Sequence, residues 1–244
     1  MSKKNKPTII KIVQINDAHV PFHDEKTFSV IYKFLEYFKP HQLVIPGDFV
    51  DFYELSCFDK NPKRKLSLQD EIDKSYQILK TLKELVNEIH FIQGNHEERL
   101  RKFLWKNPEL SSLKCLEIDK LLNLDLLKIN FYEHEYVYKS LSFTHGEVAR
   151  KYSSYTARAE HDNYGSNRSI GHTHRLGSYF KTDKRGTTSC YEGGCTCILN
   201  PEYISGTPNW QQAITIFYFR DNMFFAQQIP IHNNQFIFNG RMFK

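Results

Sequence analysis

Five times along the chain an apolar run stops at a short cluster of Asp, His or Asn side chains, usually beside a glycine. Residues 9–15, a β-branched run, lead into Asn16-Asp17-Ala18-His19. Residues 43–45 lead into Pro46-Gly47-Asp48, with Asp51 three positions on, and residues 88–93 into Gly94-Asn95-His96-Glu97. Further along, residues 141–144 deliver His145-Gly146, and Ser169-Ile170 deliver Gly171-His172-Thr173-His174. Short apolar runs bounded by turn signals suit strands buried on both faces. In an open α/β sheet the carboxyl ends of strands are where ligands sit. Glycine lets the backbone turn away sharply there and leaves the polar side chain projecting into the crevice.

The remaining pattern fits such a sheet. Between the first two runs, residues 25–38 place Phe28, Ile31, Tyr32, Leu35 and Phe38 at helical spacing, and Pro40 ends the segment. Residues 68–86 carry a second apolar stripe through Leu68, Ile72, Leu79, Leu82 and Val86. This βαβαβ rhythm predicts parallel pairing with crossover helices. Residues 97–106 read as a helix, 113–127 as one or two short helices, and 154–164 as another. The strands expected at 129–133, 178–182, 187–191, 213–219 and 223–230 suit an antiparallel or mixed sheet packed on the first. The expected fold is α/β, with two sheets face to face and helices outside. With no repeat, low-complexity tract or long linker, residues 1–244 are expected to form one domain.

Composition narrows the class. Forty per cent apolar and 25% charged residues with a mean hydropathy of −0.55 describe a soluble globular chain and exclude bulk disorder. No window approaches the ~18 unbroken apolar residues of a membrane helix. The basic, then apolar, start lacks a small-residue cleavage site, so the expected location is the cytoplasm. An odd count of five cysteines fits a reducing compartment. Cys190, Cys195 and Cys197 cluster, but no second C-x-x-C or His pair completes a usual zinc spacing. They are read as small buried residues in a strand–turn–strand. The net charge of +5 is compatible with an anionic substrate and too small to demand nucleic acid.

Together the strand-end clusters supply carboxylates at Asp17 and Asp48, an amide oxygen at Asn95, and imidazoles at His19, His145, His172 and His174. Seven mixed N/O donors are too many for one ion and about right for two. The set favours Mn²⁺, Fe²⁺ or Zn²⁺ over Ca²⁺ or Cu⁺, with Mn²⁺ the first expectation. One carboxylate must bridge such a pair, and Asp48 is the candidate. Both imidazoles of His172-Thr173-His174 can reach neighbouring ions if Thr173 points away in an extended segment. Any one of these motifs alone is weak, and His41, His90, His134, His161 and His232 are read as ordinary histidines.

The ordered set D-x-H, G-D, G-N-H-[ED], H, G-H-x-H resembles the calcineurin-like metallophosphoesterase superfamily over roughly residues 9–176. The resemblance implies a four-layer αββα sandwich and a two-metal hydrolytic centre. It implies that Asp17, His19, Asp48 and His174 hold one ion, and Asp48, Asn95, His145 and His172 the other. By the same likeness His96 is no ligand but faces the phosphate, with Asp51 as its orienting carboxylate. Two divalent ions would offset the charge of a phosphate ester and lower the pKa of a bridging water, and His96 would give the leaving alkoxide its proton as general acid.

Departures bear on the substrate. The G-D-x-V-D-R-G form of Ser/Thr protein phosphatases reads Gly47-Asp48-Phe49-Val50-Asp51-Phe52-Tyr53 here, so a fork donor is missing and protein substrates are disfavoured. Arg99 is either a replacement fork or a solvated helix charge, and His23 and Asp24 are candidates for the site mouth. Asp51-Phe52-Tyr53, residues 66–71, residues 171–178 and Asn209-Trp210-Gln211-Gln212 look like the calcineurin-like phosphoesterases of bacteriophages and prophages. The basic run at 60–65, Lys-Asn-Pro-Lys-Arg-Lys, is either a rail for a phosphate backbone or a solvated loop, and the second is preferred. Tyr152, Tyr155, Arg158 and Trp210 are candidates to stack on a base. The expected activity is phosphomonoester or phosphodiester hydrolysis on nucleotides or nucleic-acid-derived substrates. The alternatives are a DNA or RNA nuclease and a non-catalytic scaffold.

Overall fold

A computed structural model describes residues 8–201, 204 and 206–244. Among these the chain lays down two large mixed sheets. The first has the order β11 (Met223–Pro230), β10 (Ala213–Arg220), β1 (Ile10–Gln14), β2 (Gln42–Pro46), β3 (Glu88–Ile92), β4 (Asn130–Tyr132). The second has the order β5 (Glu135–Tyr138), β6 (Leu141–Thr144), β7 (Arg168–Ile170), β9 (Gly186–Gly193), β8 (Leu176–Asp183). Strands β1 to β4 run parallel, as do β6, β7 and β9. The expected fold class is therefore observed.

Two assignments differ from the sequence expectation. β4 joins the first sheet rather than the second, pairing parallel with β3 from His90↔Asn130 to Ile92↔Tyr132. β10 and β11 complete the first sheet rather than the second, because β10 pairs antiparallel with β1 from Ile10↔Phe219 to Gln14↔Thr215. The eight-residue strand β10 is buried up to Phe219, which suits a position inside a sheet.

Helices α1 (Glu25–Phe38) and α2 (Leu68–Leu85) cover the outer face of the first sheet. Each has a side-chain cap, which stabilises a helix by ~1 kcal/mol. Asp24 accepts from the N–H groups of Lys26 and Thr27, both at 3.0 Å, and Ser67 and Asp70 form a capping box. The apolar stripe of α1, including Phe28, Ile31, Phe34 and Leu35, packs in one cluster with Val13, Leu43, Ile45 and Phe91. A second cluster fills the space between the sheets, where Ile12, Val44, Ile92, Phe217 and Phe219 meet Tyr136, Leu141, Phe143 and Tyr191. Helix α5 (Tyr155–Tyr164) lies against β7, β8 and β9 of the second sheet. The layers run helix, sheet, sheet, helix. The remaining helices are α3 (Glu98–Lys106), directly after β3, and the short α4 (Ile118–Leu121).

Among the described residues no helix is long and apolar enough to cross a membrane.

Candidate metal centre

All five polar clusters follow the carboxyl ends of parallel strands: β1, β2 and β3 in the first sheet, β6 and β7 in the second. The loops come close enough to touch because glycines stand at the contacts. A Cβ on Gly47 would lie 2.5 Å from Cα of Gly94, and one on Gly94 would lie 2.4 Å from the backbone nitrogen of Asp48. Asp17, His19, Asp48, His172 and His174 all have φ between 46° and 70°, the left-handed region that non-glycine residues occupy at a cost. His172-Thr173-His174 is therefore bent rather than extended as expected. Thr173 still points away, donating to Glu192 Oε2 at 2.9 Å.

The seven donors gather into two knots. In one, Asp17, His19 and His174 come together, with Nε2 of His19 and Nε2 of His174 2.9 Å apart. In the other, Nε2 of His145 lies 2.9 Å from Oδ1 of Asn95 and 3.1 Å from Nδ1 of His172, which is 2.8 Å from the same Asn95 oxygen. Asp48 Oδ2 sits between them, 3.4 Å from His145 and 3.8 Å from His19.

These spacings fit a pair of cations. Donors bound ~2.0–2.2 Å from one ion, at angles from square to tetrahedral, stand ~2.8–3.6 Å apart. Two histidines also present the tautomer a ligand needs. His145 Nδ1–H donates to the Pro46 carbonyl at 2.9 Å, leaving Nε2 to the cluster. His19 Nδ1–H donates to Asp51 Oδ2 at 3.3 Å, leaving its Nε2 likewise. Oδ2 of Asp17 is buried with no hydrogen-bond partner. The field agrees. Burial pulls His145 down, but the carboxylates of Asp48 and Asp17 outweigh it and raise its pKa to about 10. Burial, with His145 alongside, holds His172 down at about 4. The cage stabilises positive charge beside Asp48 and keeps His172 a free base.

His96 stands at the edge of this cluster. Its Nδ1–H donates to the backbone carbonyl of Asp51 at 2.9 Å, and its Nε2 is 3.7 Å from Asp48 Oδ2. The expected residue thus orients His96, but through its backbone carbonyl rather than its carboxylate. The Asp51 carboxylate is shared, 3.5 Å from His96 and 3.3 Å from His19. Burial lowers the pKa of His96, but Asp48 and Asp51 together raise it above its ordinary value. Arg99 donates to the Asp51 carbonyl at 2.8 Å and lies 2.9 Å from Nε2 of His96. It is not a solvated helix charge.

Above the knots opens a cavity of about 570 Å³, walled by Tyr53, Phe58, Arg99 and Trp210. A neighbouring cavity of about 490 Å³ shares Asn95 and His172 and is lined by Glu98, Glu133, Glu135 and Glu147 together with Arg168.

Several expected residues have other duties. Asp24 caps α1 and accepts from Gln212 and Asn234, and His23 packs edge-on against Phe28. Neither lines the cavity. In the basic run the Arg64 side chain is buried, 3.0 Å from Glu71 and stacked on Phe22 and Tyr53, so Arg64 is no part of a rail, while Pro62, Lys63 and Lys65 are exposed, as a solvated loop requires. Tyr152, Tyr155 and Arg158 do not line the cavity, whereas Trp210 does and meets the His174 ring edge-on at 4.2 Å. Glu97, quoted only as a motif letter, is fully buried and accepts from four backbone N–H groups, those of Asp48, Phe49, Val50 and Gly94. The signal available for it was its place directly after Gly94-Asn95-His96.

The sequence pattern of calcineurin-like phosphoesterases matches residues 10–194. The chain is similar to the Gene 54 protein of Mycobacterium phage L5, with 24% identity over 252 aligned positions covering 96% of this chain and 98% of that protein. The Gene 54 protein of Mycobacterium phage D29 is 25% identical over the same shares. Among solved structures, vacuolar protein sorting 29 from Cryptosporidium parvum has a TM-score of 0.49 and 11% identity, covering 96% of this chain and 94% of that one. The E. coli phosphoesterase YfcE has a TM-score of 0.39 and 14% identity, covering 91% of this chain and all of that one.

Proposed function

The chain belongs to the calcineurin-like phosphoesterase family, and from that premise we propose that it is a dinuclear, metal-dependent hydrolase of phosphate esters, acting on nucleotides or nucleic-acid-derived substrates. The observation that carries the reading is the position of Asp48 Oδ2 between the two donor knots, 3.4 Å from His145 Nε2 in one and 3.8 Å from His19 Nε2 in the other. Asp17, His19, Asp48 and His174 would hold one ion, and Asp48, Asn95, His145 and His172 the other. Mn²⁺ is the first candidate, ahead of Fe²⁺ and Zn²⁺. Bound there, the ions would supply Lewis acidity, offsetting phosphoryl charge and acidifying the attacking water.

The protein's own groups do the rest. His96, held through Nδ1, turns Nε2 toward the cleft, and with Nε2 protonated it gives that proton to the leaving alkoxide as the P–O bond breaks. Arg99, already beside Nε2 of His96, turns its fork to the phosphoryl oxygens. Phe58 and Trp210 offer faces on which a base stacks, in a cavity of nucleotide size. The acidic wall of the neighbouring cavity repels a polyanion, and Arg64 is committed to Glu71. Both features favour small phosphate esters over a nuclease substrate.

The test is a side-by-side assay with Mn²⁺ on an aryl phosphomonoester, an aryl phosphodiester, cyclic nucleotides and single-stranded DNA. Turnover of a small ester that chelator abolishes and Mn²⁺ restores is expected. Turnover indifferent to chelators, or confined to DNA, would overturn the reading.

A further inference from the structure

We propose a site for a thiophilic divalent ion, formed by Cys195 and Cys197 with His174, the histidine it shares with the candidate metal centre. One donor atom from each of the three lies within 4.8 Å of the others, and all three residues are buried. A tetrahedral ion with Zn–S of ~2.3 Å and Zn–N of ~2.0 Å separates its donors by ~3.5–3.8 Å, inside that span. Buried cysteines are ordinarily small hydrophobes, but here a lone pair accompanies them. His174 Nε2 faces His19, while Nδ1 is buried with no hydrogen-bond partner. Cys190 is no part of the group, since its thiol stands in β9 among Glu160, Arg168 and Glu192.

As the ion enters, each thiol releases its proton to solvent and two S–metal bonds form, with no change of oxidation state. A neutral imidazole has one lone pair and one N–H. His174 therefore serves the thiophilic ion through Nδ1 or the oxygen-rich centre through Nε2, not both. Excess Zn²⁺ or Cd²⁺ would then empty part of the hydrolytic centre. That consequence rests on the proposed function; the thiolate site does not.

The test uses full-length Cys57→Ser/Cys115→Ser protein, which lacks the two exposed thiols. Co²⁺ is added under reducing, anaerobic conditions. A near-ultraviolet thiolate-to-cobalt charge-transfer band is expected, lost on adding Cys195→Ala or Cys197→Ser and kept on adding Cys190→Ala. Absence of the band in the parent, or its survival in both loss variants, overturns the site whether or not the protein hydrolyses anything. Should those variants fail to fold, the cadmium-113 resonance of the parent counts the sulfurs directly, and a shift typical of nitrogen and oxygen ligands alone overturns it equally.

Discussion

Glu97 holds the backbone of Asp48: its Oε2 accepts the Asp48 N–H at 2.9 Å, and the same carboxylate takes the N–H groups of Phe49, Val50 and Gly94. One side chain from the start of α3 thus locks the β2 loop against the β3 loop. Glu97→Gln would turn an NH₂ group onto two of these donors, at a cost on the order of 2–6 kcal/mol, taking each unsatisfied N–H at its desolvation penalty. A denaturant midpoint and metal content both lower than wild type are expected. A variant unchanged in both would remove the clamp from the account.

His96→Ala is expected to lower kcat by ~10²–10⁴ while bound metal stays near wild type, because the imidazole touches the cluster only from its edge. Elemental analysis beside the kinetics checks this. Loss of metal along with activity would make His96 a ligand instead.

Asp48→Ala should remove both ions and all turnover, since its Oδ2 is within 3.4–3.8 Å of a histidine in each knot. Retention of one full equivalent of metal would show that the carboxylate does not bridge.

Arg64→Ala tests the buried guanidinium. The change leaves the Glu71 carboxylate buried without its guanidinium, and breaking one side of such a pair costs ~3–5 kcal/mol. Urea unfolding should show that loss while affinity for single-stranded DNA is unaltered. Unchanged stability with a lower DNA affinity and salt slope would restore the rail.

His23 sets a pH dependence. Burial, with Lys74 adding to it, lowers its pKa to about 4, whereas an unfolded histidine titrates near ~6.5. Between those values the unfolded state binds more protons, so stability falls as pH drops from about 6.5 toward 4, by at most ~1.4 kcal/mol per pH unit. His23→Gln should flatten this part of the profile. Parallel wild-type and variant curves would exclude His23 as the cause.

The strand-end positions of the donors were legible at β1, β2 and β3 because each is a dense apolar run, and at β6 and β7 because a glycine stands beside the histidines that follow. The membership of β10 was not, since its alternation is the same whichever sheet it joins; only its pairing with β1 decides. Strand β5 and the hairpin of β12 (Phe236–Phe238) and β13 (Arg241–Phe243) went unread because three or four residues carry too little periodicity. Within the site, residue types foretold the two knots. The burial of Arg64 and the four bonds to Glu97 follow from tertiary packing, which a charge run or a motif letter does not reveal.

The left-handed backbone at Asp17, His19, Asp48, His172 and His174 has an evolutionary consequence. Each of these side chains is aimed by a main-chain bend as much as by its own rotamer. A substitution that relaxes such a bend therefore misdirects a chemically intact group, and exchanging one donor type for another cannot repair it. Drift in this lineage should accumulate in the cavity walls, where partners are chosen, while the bent loops beneath stay as they are.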